Sequence, residues 1–417
     1  MREKIKPSKQ MSFVHFGIWL MMVCIVSLIL PMGKVAAAEG TEEVYTSTDS
    51  VLQKSYRELL NSLDSQEFGD YLSTLNTDES YIIPGIDQTN IRNKKICNGM
   101  IPQGICVANE YVIISAYDAS HKVVVDSEYK ATKKQRSVLY IMDADSRQYL
   151  TTITLNTRCH VGALAYNPDD ELIYIADSDN GVVQSLSMNK IAERVNKGAD
   201  AHDDVLEFDG CSIDTQGYRP SLLSYYDGHL YVGQFAKRNW SDLFANRMVA
   251  FDKDGTLLTK HDITIPYCAQ GVSFADWNDK TYMIVSSSYG RNEAAKLSVY
   301  QMDKDKAGMV FSKTKVGEFA CPNMSEDIDI QGDSIYTCYE SASNFYRLNL
   351  DENGESSNVV DRIMVSSFKK TIGRLLTGDE ERFIHRICEL PMQCVKHKRE
   401  AVDLDQRRRL FLRLFYI

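Results

Sequence analysis

The sequence predicts an all-β fold: a β-propeller of about five or six four-stranded blades, preceded by a signal peptide and a short helical segment. Three observations lead there. The first is a change of period. Apolar residues recur at helical spacing up to Leu75, and beyond it short runs alternate apolar and polar residues. The second is one phrase repeated five times at long range. The third is the use of 23 tyrosines, a residue suited to half-buried strands, where the ring packs and the hydroxyl stays wet.

Each phrase has a small or polar junction, a short strand, a turn and a stronger strand. The junctions and first strands read Gln103-Gly104-Ile105, His160-Val161-Gly162, Pro220-Ser221-Leu222, Gln270-Gly271-Val272 and Glu326-Asp327-Ile328. The stronger strands start at Tyr111, Leu172, His229, Thr281 and Ser334. The aligned positions Gly104, Gly162, Ser221, Gly271 and Asp327 are spaced 58, 59, 50 and 56 residues apart. Asp227-Gly228 and Gly332-Asp333 are tight-turn dipeptides between first and second strands. Third strands read Ser137–Met142, Arg247–Phe251 and Lys296–Tyr300, and the clearest fourth strand is Tyr149–Leu155. Four strands per unit at this period make propeller blades, because a blade cannot bury both faces without neighbours. A sixth blade would be assembled from Tyr81–Pro84 and the chain after Arg347. The competing architecture is a β-sandwich.

Before the repeats, Arg2, Lys4, Lys6 and Lys9 precede an apolar run from Phe13 to Leu30, followed by Pro31, Gly33 and Ala36-Ala37-Ala38. This is the build of a bacterial-type secretory signal with cleavage after Ala38, and it places the body outside the cell or on its surface. The alternative is an uncleaved membrane anchor. Residues Asp49 to Leu75 then read as one or two amphipathic helices, with Thr48, Asp49 and Ser50 as cap candidates, serving as a spacer or lying on the domain's side. The chain thus divides into a signal peptide (1–38), a helical spacer (39–80), a propeller (81–367) and a basic tail (368–417). The tail holds 12 Lys and Arg against 7 Asp and Glu, inside a chain of net charge −10. Arg407–Arg413 reads either as a basic amphipathic segment for an anionic surface or as sequence foreign to the domain.

An acidic body without a basic stripe excludes phosphate-backbone binding, so no nucleic-acid partner is expected. Membrane contact is confined to the signal segment or the tail. No G-x-S-x-G elbow, Walker motif or H-E-x-x-H occurs, and neither cofactor nor metal is expected. Seven cysteines lie in the body, an odd number. Cys97 and Cys106 are near enough in sequence to pair, while buried free thiols are the alternative.

Several phrases resemble a known group. Pro102–Cys106, Ile114–Tyr117, His160–Gly162, Ser288–Arg291 and Tyr339–Ser343 look like uncharacterised exported propeller-like proteins of Gram-positive bacteria, across Tyr81 to Ser367. The resemblance implies fold and location and no reaction. Asp327 departs from it, standing where Gly is expected.

Propeller strands run outward from a central channel, so strand starts and the following strand ends gather at one mouth. First strands start with Gln103, His160, Arg219, Gln270 and Glu326, and second strands end with Tyr117, Asp177, Gln234, Tyr289 and Glu340. As a binding ring, Gln103, Tyr117, Asp177, Arg219, Gln270 and Tyr289 would hold a polar small molecule, a cell-surface polymer or a protein. As a hydrolase or lyase, His160 would be the base, with Glu326 and Glu340 as acid or orienting groups. Solvated polar residues lining a wet channel are the plain alternative. Asp177-Ser178-Asp179 before Asn180-Gly181 reads as a turn rather than a calcium site. Rim loops Ala119–Arg136 and Ala236–Asn246, the second carrying Trp240, suit a protein partner.

Overall fold

The computed structural model describes Leu52 and residues 54–377 apart from 88, 92–93, 98, 120–123, 126–127, 130–133, 198–204, 239–245, 307–308 and 349–357. The signal segment, its Ala38 cleavage site, the cap candidates Thr48 to Ser50, Trp240 and the Arg407–Arg413 segment lie outside the described residues.

Two helices come first, α1 (Tyr56–Ser62) and α2 (Ser65–Leu72). Ser55 and Glu58 cap α1 reciprocally, the Ser55 N–H donating to Glu58 at 2.8 Å and the Glu58 N–H to Ser55 Oγ at 3.3 Å. Asp64 caps α2 through the Gln66 N–H at 2.8 Å. Strand β1 (Leu75–Ile82) follows, then a small hairpin of β2 (Thr89–Ile91) and β3 (Lys94–Cys97).

Five four-stranded antiparallel sheets follow. The first holds β4 (Met100–Ala108), β5 (Tyr111–Asp118), β8 (Val138–Asp143) and β9 (Tyr149–Thr154), and a short hairpin, β6 (Val124–Val125) and β7 (Glu128–Tyr129), falls between β5 and β8 in the chain. The second holds β10 (Leu164–Asn167), β11 (Leu172–Asp177), β12 (Val182–Ser187) and β13 (Asp209–Asp214), with helix α3 (Met188–Lys197) between its last two strands. The third holds β14 (Leu222–Tyr226), β15 (His229–Gly233), β16 (Arg247–Phe251) and β17 (Leu257–Thr264). Asp227 and Gly228 both take positive φ between β14 and β15, as the tight-turn reading requires. The fourth holds β18 (Ala269–Trp277), β19 (Lys280–Ser287), β20 (Ala295–Lys304) and β21 (Val310–Cys321).

The fifth sheet draws on both ends of the described chain. It orders β22 (Ser325–Gln331), β23 (Ser334–Tyr339), β24 (Arg362–Ser367) and, outermost, β1. A short helix, α4 (Asn344–Leu348), lies between β23 and β24. Leu75 pairs with Ser366 and Ile82 with Arg362. The segments expected to make a sixth blade therefore complete the fifth. The innermost strands touch in cyclic order β4, β10, β14, β18, β22 and back to β4. This is a closed five-bladed propeller.

Strand alternation explains the closure. In β4 and β5, Ile105, Val107, Val112 and Ile114 face Ile363 and Val365 of the fifth blade. Ile101, Cys106 and Ile113 face Leu164, Ile173 and Ile175 of the second. Each remaining blade junction buries its own cluster in the same way. The fourth–fifth junction also recruits helices. There α1 and α2 add Leu59, Leu63, Phe68 and Tyr71, and helical residues 368–377 add Phe368, Ile372 and Leu375.

Two boundaries move accordingly. The propeller begins at Leu75 rather than residue 81, because β1 is needed to cover the last blade. The tail is part of the body as far as residue 377, because three of its apolar side chains fill the fourth–fifth junction. The helical spacer likewise lies on the domain's side. Neither Cys97 nor Cys106 is in a disulfide, and they sit in different apolar clusters. The Cys97 thiol instead donates to Asp118 Oδ1 at 2.8 Å. No helix among the described residues is long and apolar enough to cross a membrane.

Candidate functional site

The propeller axis is closed midway. Innermost strands approach so tightly that a Cβ on Gly104 would lie 2.8 Å from the Leu164 nitrogen, and one on Gly271 only 2.6 Å from the Asp327 Cα. This is why small residues recur at the blade junctions. Asp327, the one acidic residue in that series, fills the axis with its carboxylate. Its Oδ2 accepts from the Ile105 N–H at 3.1 Å and the Leu164 N–H at 3.2 Å, and its Oδ1 from its neighbour Ile328 at 3.0 Å. One side chain thus ties the first, second and fifth blades and separates two mouths.

At the mouth where first strands start, the expected ring assembles in part. Gln103 Nε2 donates to Glu340 Oε2 at 2.9 Å, and Gln270 Nε2 to Glu326 Oε1 at 3.3 Å. The two carboxyl groups lie close enough to act on each other electrostatically. Burial is the main reason that both are pushed above the usual carboxylate range, and the neighbouring Glu340 charge raises Glu326 further. Hydrogen bonds from Glu326, Tyr346 and Gln103, and the Arg291 charge, pull Glu340 partly back. Glu326 is 2% exposed and Glu340 9%.

Tyr117 packs its ring 4.3 Å from that of His160. Burial and then the charges of Glu340 and Glu326 push the Tyr117 phenol up, which puts this aromatic pair beside the acid pair. Tyr289 lies further out and is 51% exposed. Its hydroxyl accepts from Lys237 Nζ at 2.6 Å, and the same ammonium sits 4.5 Å from its ring centre. Arg219 is exposed, and its backbone N–H donates to Gln234 Oε1 at 2.9 Å.

Asp177 does not join a binding ring. Its carboxylate accepts from the Asn180 N–H at 3.3 Å, from Asn180 Nδ2 at 2.8 Å and from Gln184 Nε2 at 3.4 Å, so it closes the β11–β12 turn. Two further residues complete the site. Tyr346, on α4, acts on the Glu340 carboxyl, and Arg291 lies 5.1 Å from the Tyr346 ring centre while donating to the Tyr346 carbonyl at 3.0 Å. Arg291 falls within the Ser288–Arg291 phrase, but Tyr346 lies in an insertion with no counterpart in other repeats. Among the described residues no three His, Cys, Asp or Glu side chains gather as a metal would need.

The mouth therefore has two layers. Beneath is a buried acid pair flanked by two carboxamides, a phenol and a guanidinium. Around it stand exposed cationic and aromatic groups.

No family model matches the chain, and no curated protein matches it. Among solved structures it is similar to the hydrazine synthase of Kuenenia stuttgartiensis, at 13% identity and TM-score 0.32 over 59% of this chain and 58% of that one. It thus spans little more than half of that chain. It is also similar to a nidogen/laminin complex, at 12% identity and TM-score 0.33 over 58% of this chain and 72% of that one. A third similarity is to the PQQ-bound aldose sugar dehydrogenase of Streptomyces coelicolor, at 9% identity and TM-score 0.35 over 69% of this chain and 98% of that one. Similarities of this strength carry nothing about ligand or partner. The propeller assignment rests on the strand order and the closed ring.

Proposed function

We propose that the chain is an exported binding module of a Gram-positive type of cell, taking a polar surface polymer at the mouth ringed by Arg219, Lys237, Tyr289 and the Tyr117–His160 pair. The observation that carries this reading is the exposed Lys237–Tyr289 contact, 2.6 Å from ammonium to hydroxyl, on the rim around a sealed acid pair. Aromatic faces stack on sugar rings, and cations hold pendant anionic groups, so an anionic polysaccharide is the class that suits both. A small polar molecule or a protein presenting carboxylates would use the same groups.

The hydrolase or lyase reading requires Glu326 or Glu340 to reach a substrate. Both are nearly covered and already committed to Gln103, Gln270, Tyr346 and each other. Binding therefore carries the proposal. The test is titration of the mature protein with an anionic polysaccharide and its uncharged counterpart. Arg219→Ala and Tyr289→Ala should each weaken the anionic ligand several-fold, with little change in thermal stability. Equal binding of the uncharged polymer, or unaltered binding by both variants, would overturn it.

A further inference from the structure

The opposite mouth, where the innermost strands end, holds a cavity of about 140 Å³. Val107, Leu164, Leu223, Val272 and Ile328 give it apolar walls. Tyr166 and Tyr225 stand on its sides. Both rings are pinned, since the Tyr166 hydroxyl donates to Asn109 at 2.9 Å and that of Tyr225 to Asp169 at 2.8 Å.

One charged group lines this space. Asp329 accepts from the Val107 N–H at 2.8 Å and the Ile330 N–H at 2.8 Å, and the Ser273 hydroxyl bonds it as well. All these donors are neutral. Among the described residues no Lys, Arg or His forms an ion pair with Asp329. Asp329 is half-buried with no counter-charge beside it, and this burial pushes its carboxyl above the usual range. A monovalent organic cation would supply the missing charge. Tyrosine faces attract such a cation, and the apolar wall suits a short aliphatic stem. A divalent metal ion would need several oxygen ligands where the lining offers one carboxylate. The small volume admits a head group and a few carbons, not a drug-sized ligand.

We propose that this second mouth binds a small molecule carrying a primary ammonium group on a short aliphatic stem, with Asp329 as its counter-ion and Tyr166 and Tyr225 as its walls. The same chemistry could also come from a lysine side chain on a peptide, so the probes must separate the two sources.

The experiment is calorimetric titration of the full chain with butylammonium, with butanol as the isosteric neutral probe and with a blocked Gly-Lys-Gly peptide. Butylammonium should bind saturably, and butanol at least about tenfold more weakly. Tyr225→Leu leaves the carboxylate in place and should weaken butylammonium about three- to tenfold. Asp329→Asn should abolish binding; should that variant fail to fold, Tyr225→Leu still decides the matter. Equal affinity for butanol, or wild-type affinity in Tyr225→Leu, would overturn the proposal. Binding of the blocked peptide without butylammonium would overturn the small-molecule assignment.

Discussion

Asp327→Ala removes a carboxylate that bridges three blades. In the native protein Oδ2 accepts two amide N–H groups from other blades, Ile105 at 3.1 Å and Leu164 at 3.2 Å. Alanine removes this acceptor from both donors, and from the Ile328 N–H as well, in a fully buried place, and each stranded donor costs about 1–3 kcal/mol. Taking away a buried acid returns part of that loss, because burial already pushes its carboxyl well above the usual range. The expected net cost is about 2–4 kcal/mol, a large share of the roughly 5–15 kcal/mol that holds an ordinary domain together. Asp327→Asn is the control. Its amide oxygen can take the Oδ2 position and keep both cross-blade bonds, giving up only the bond from Ile328, at about 1 kcal/mol. Urea unfolding followed by intrinsic fluorescence measures both, with unchanged denaturant slopes showing that like states are compared. Coincident midpoints for Ala and Asn, or an Ala variant within about 1 kcal/mol of the parent, would show that the carboxylate holds nothing across the axis.

Three further outcomes are expected. Ending the chain at Ser367 deletes Phe368, Ile372 and Leu375, which are 1%, 0% and 7% exposed. The melting temperature should fall clearly, and Ile372→Ala alone should cost about 2–4 kcal/mol by chemical denaturation; an unshifted transition in the shortened chain would contradict the packing described. The acid pair sets a pH dependence. The native carboxyl groups of Glu326 and Glu340 are raised, so the folded state holds protons that the unfolded state releases. Their contribution is full below the ordinary carboxylate range and is lost as pH rises through the raised native values. Glu326→Gln should flatten that decline in an unfolding series from pH 4 to about 8. A variant curve parallel to the parent's would remove the pair as its cause. Finally, intact-mass analysis of exported protein should find Glu39 as the first residue, and a retained segment from Met1 to Ala38 would mean an anchor instead.

Much of the fold is readable in the sequence because a blade junction demands the same thing each time. Gly104 and Gly271 mark places where neighbouring strands leave no room for a side chain. Asp227-Gly228 marks a turn that needs two positive φ angles. The blade count is harder, because the fifth blade is assembled from β22 to β24 and a strand from the other end of the body, and no local phrase announces that pairing. The site divides in the same way. Gln103, Glu326, Glu340 and Tyr117 follow from strand phase alone, since phase decides which residues reach the mouth. Asp177 shares that phase but finds Asn180 and Gln184 first, and a partner so near in the chain outcompetes a shared ring. Tyr346 is invisible to repeat reasoning because α4 occurs in one blade only.

The pairing of β1 with β24 has a consequence in time. Leu75 finds Ser366 only after nearly all of the propeller has been made. Until then the fourth–fifth junction lacks a sheet edge and the Phe368, Ile372 and Leu375 side chains that cover it. Early blades can pair locally as they emerge, but the ring cannot close before its last strand arrives. A nascent or truncated chain would expose β23 as an open edge, the kind of edge that recruits other strands. Maturation of this protein is therefore a race between closure and mispairing, decided at its final strand.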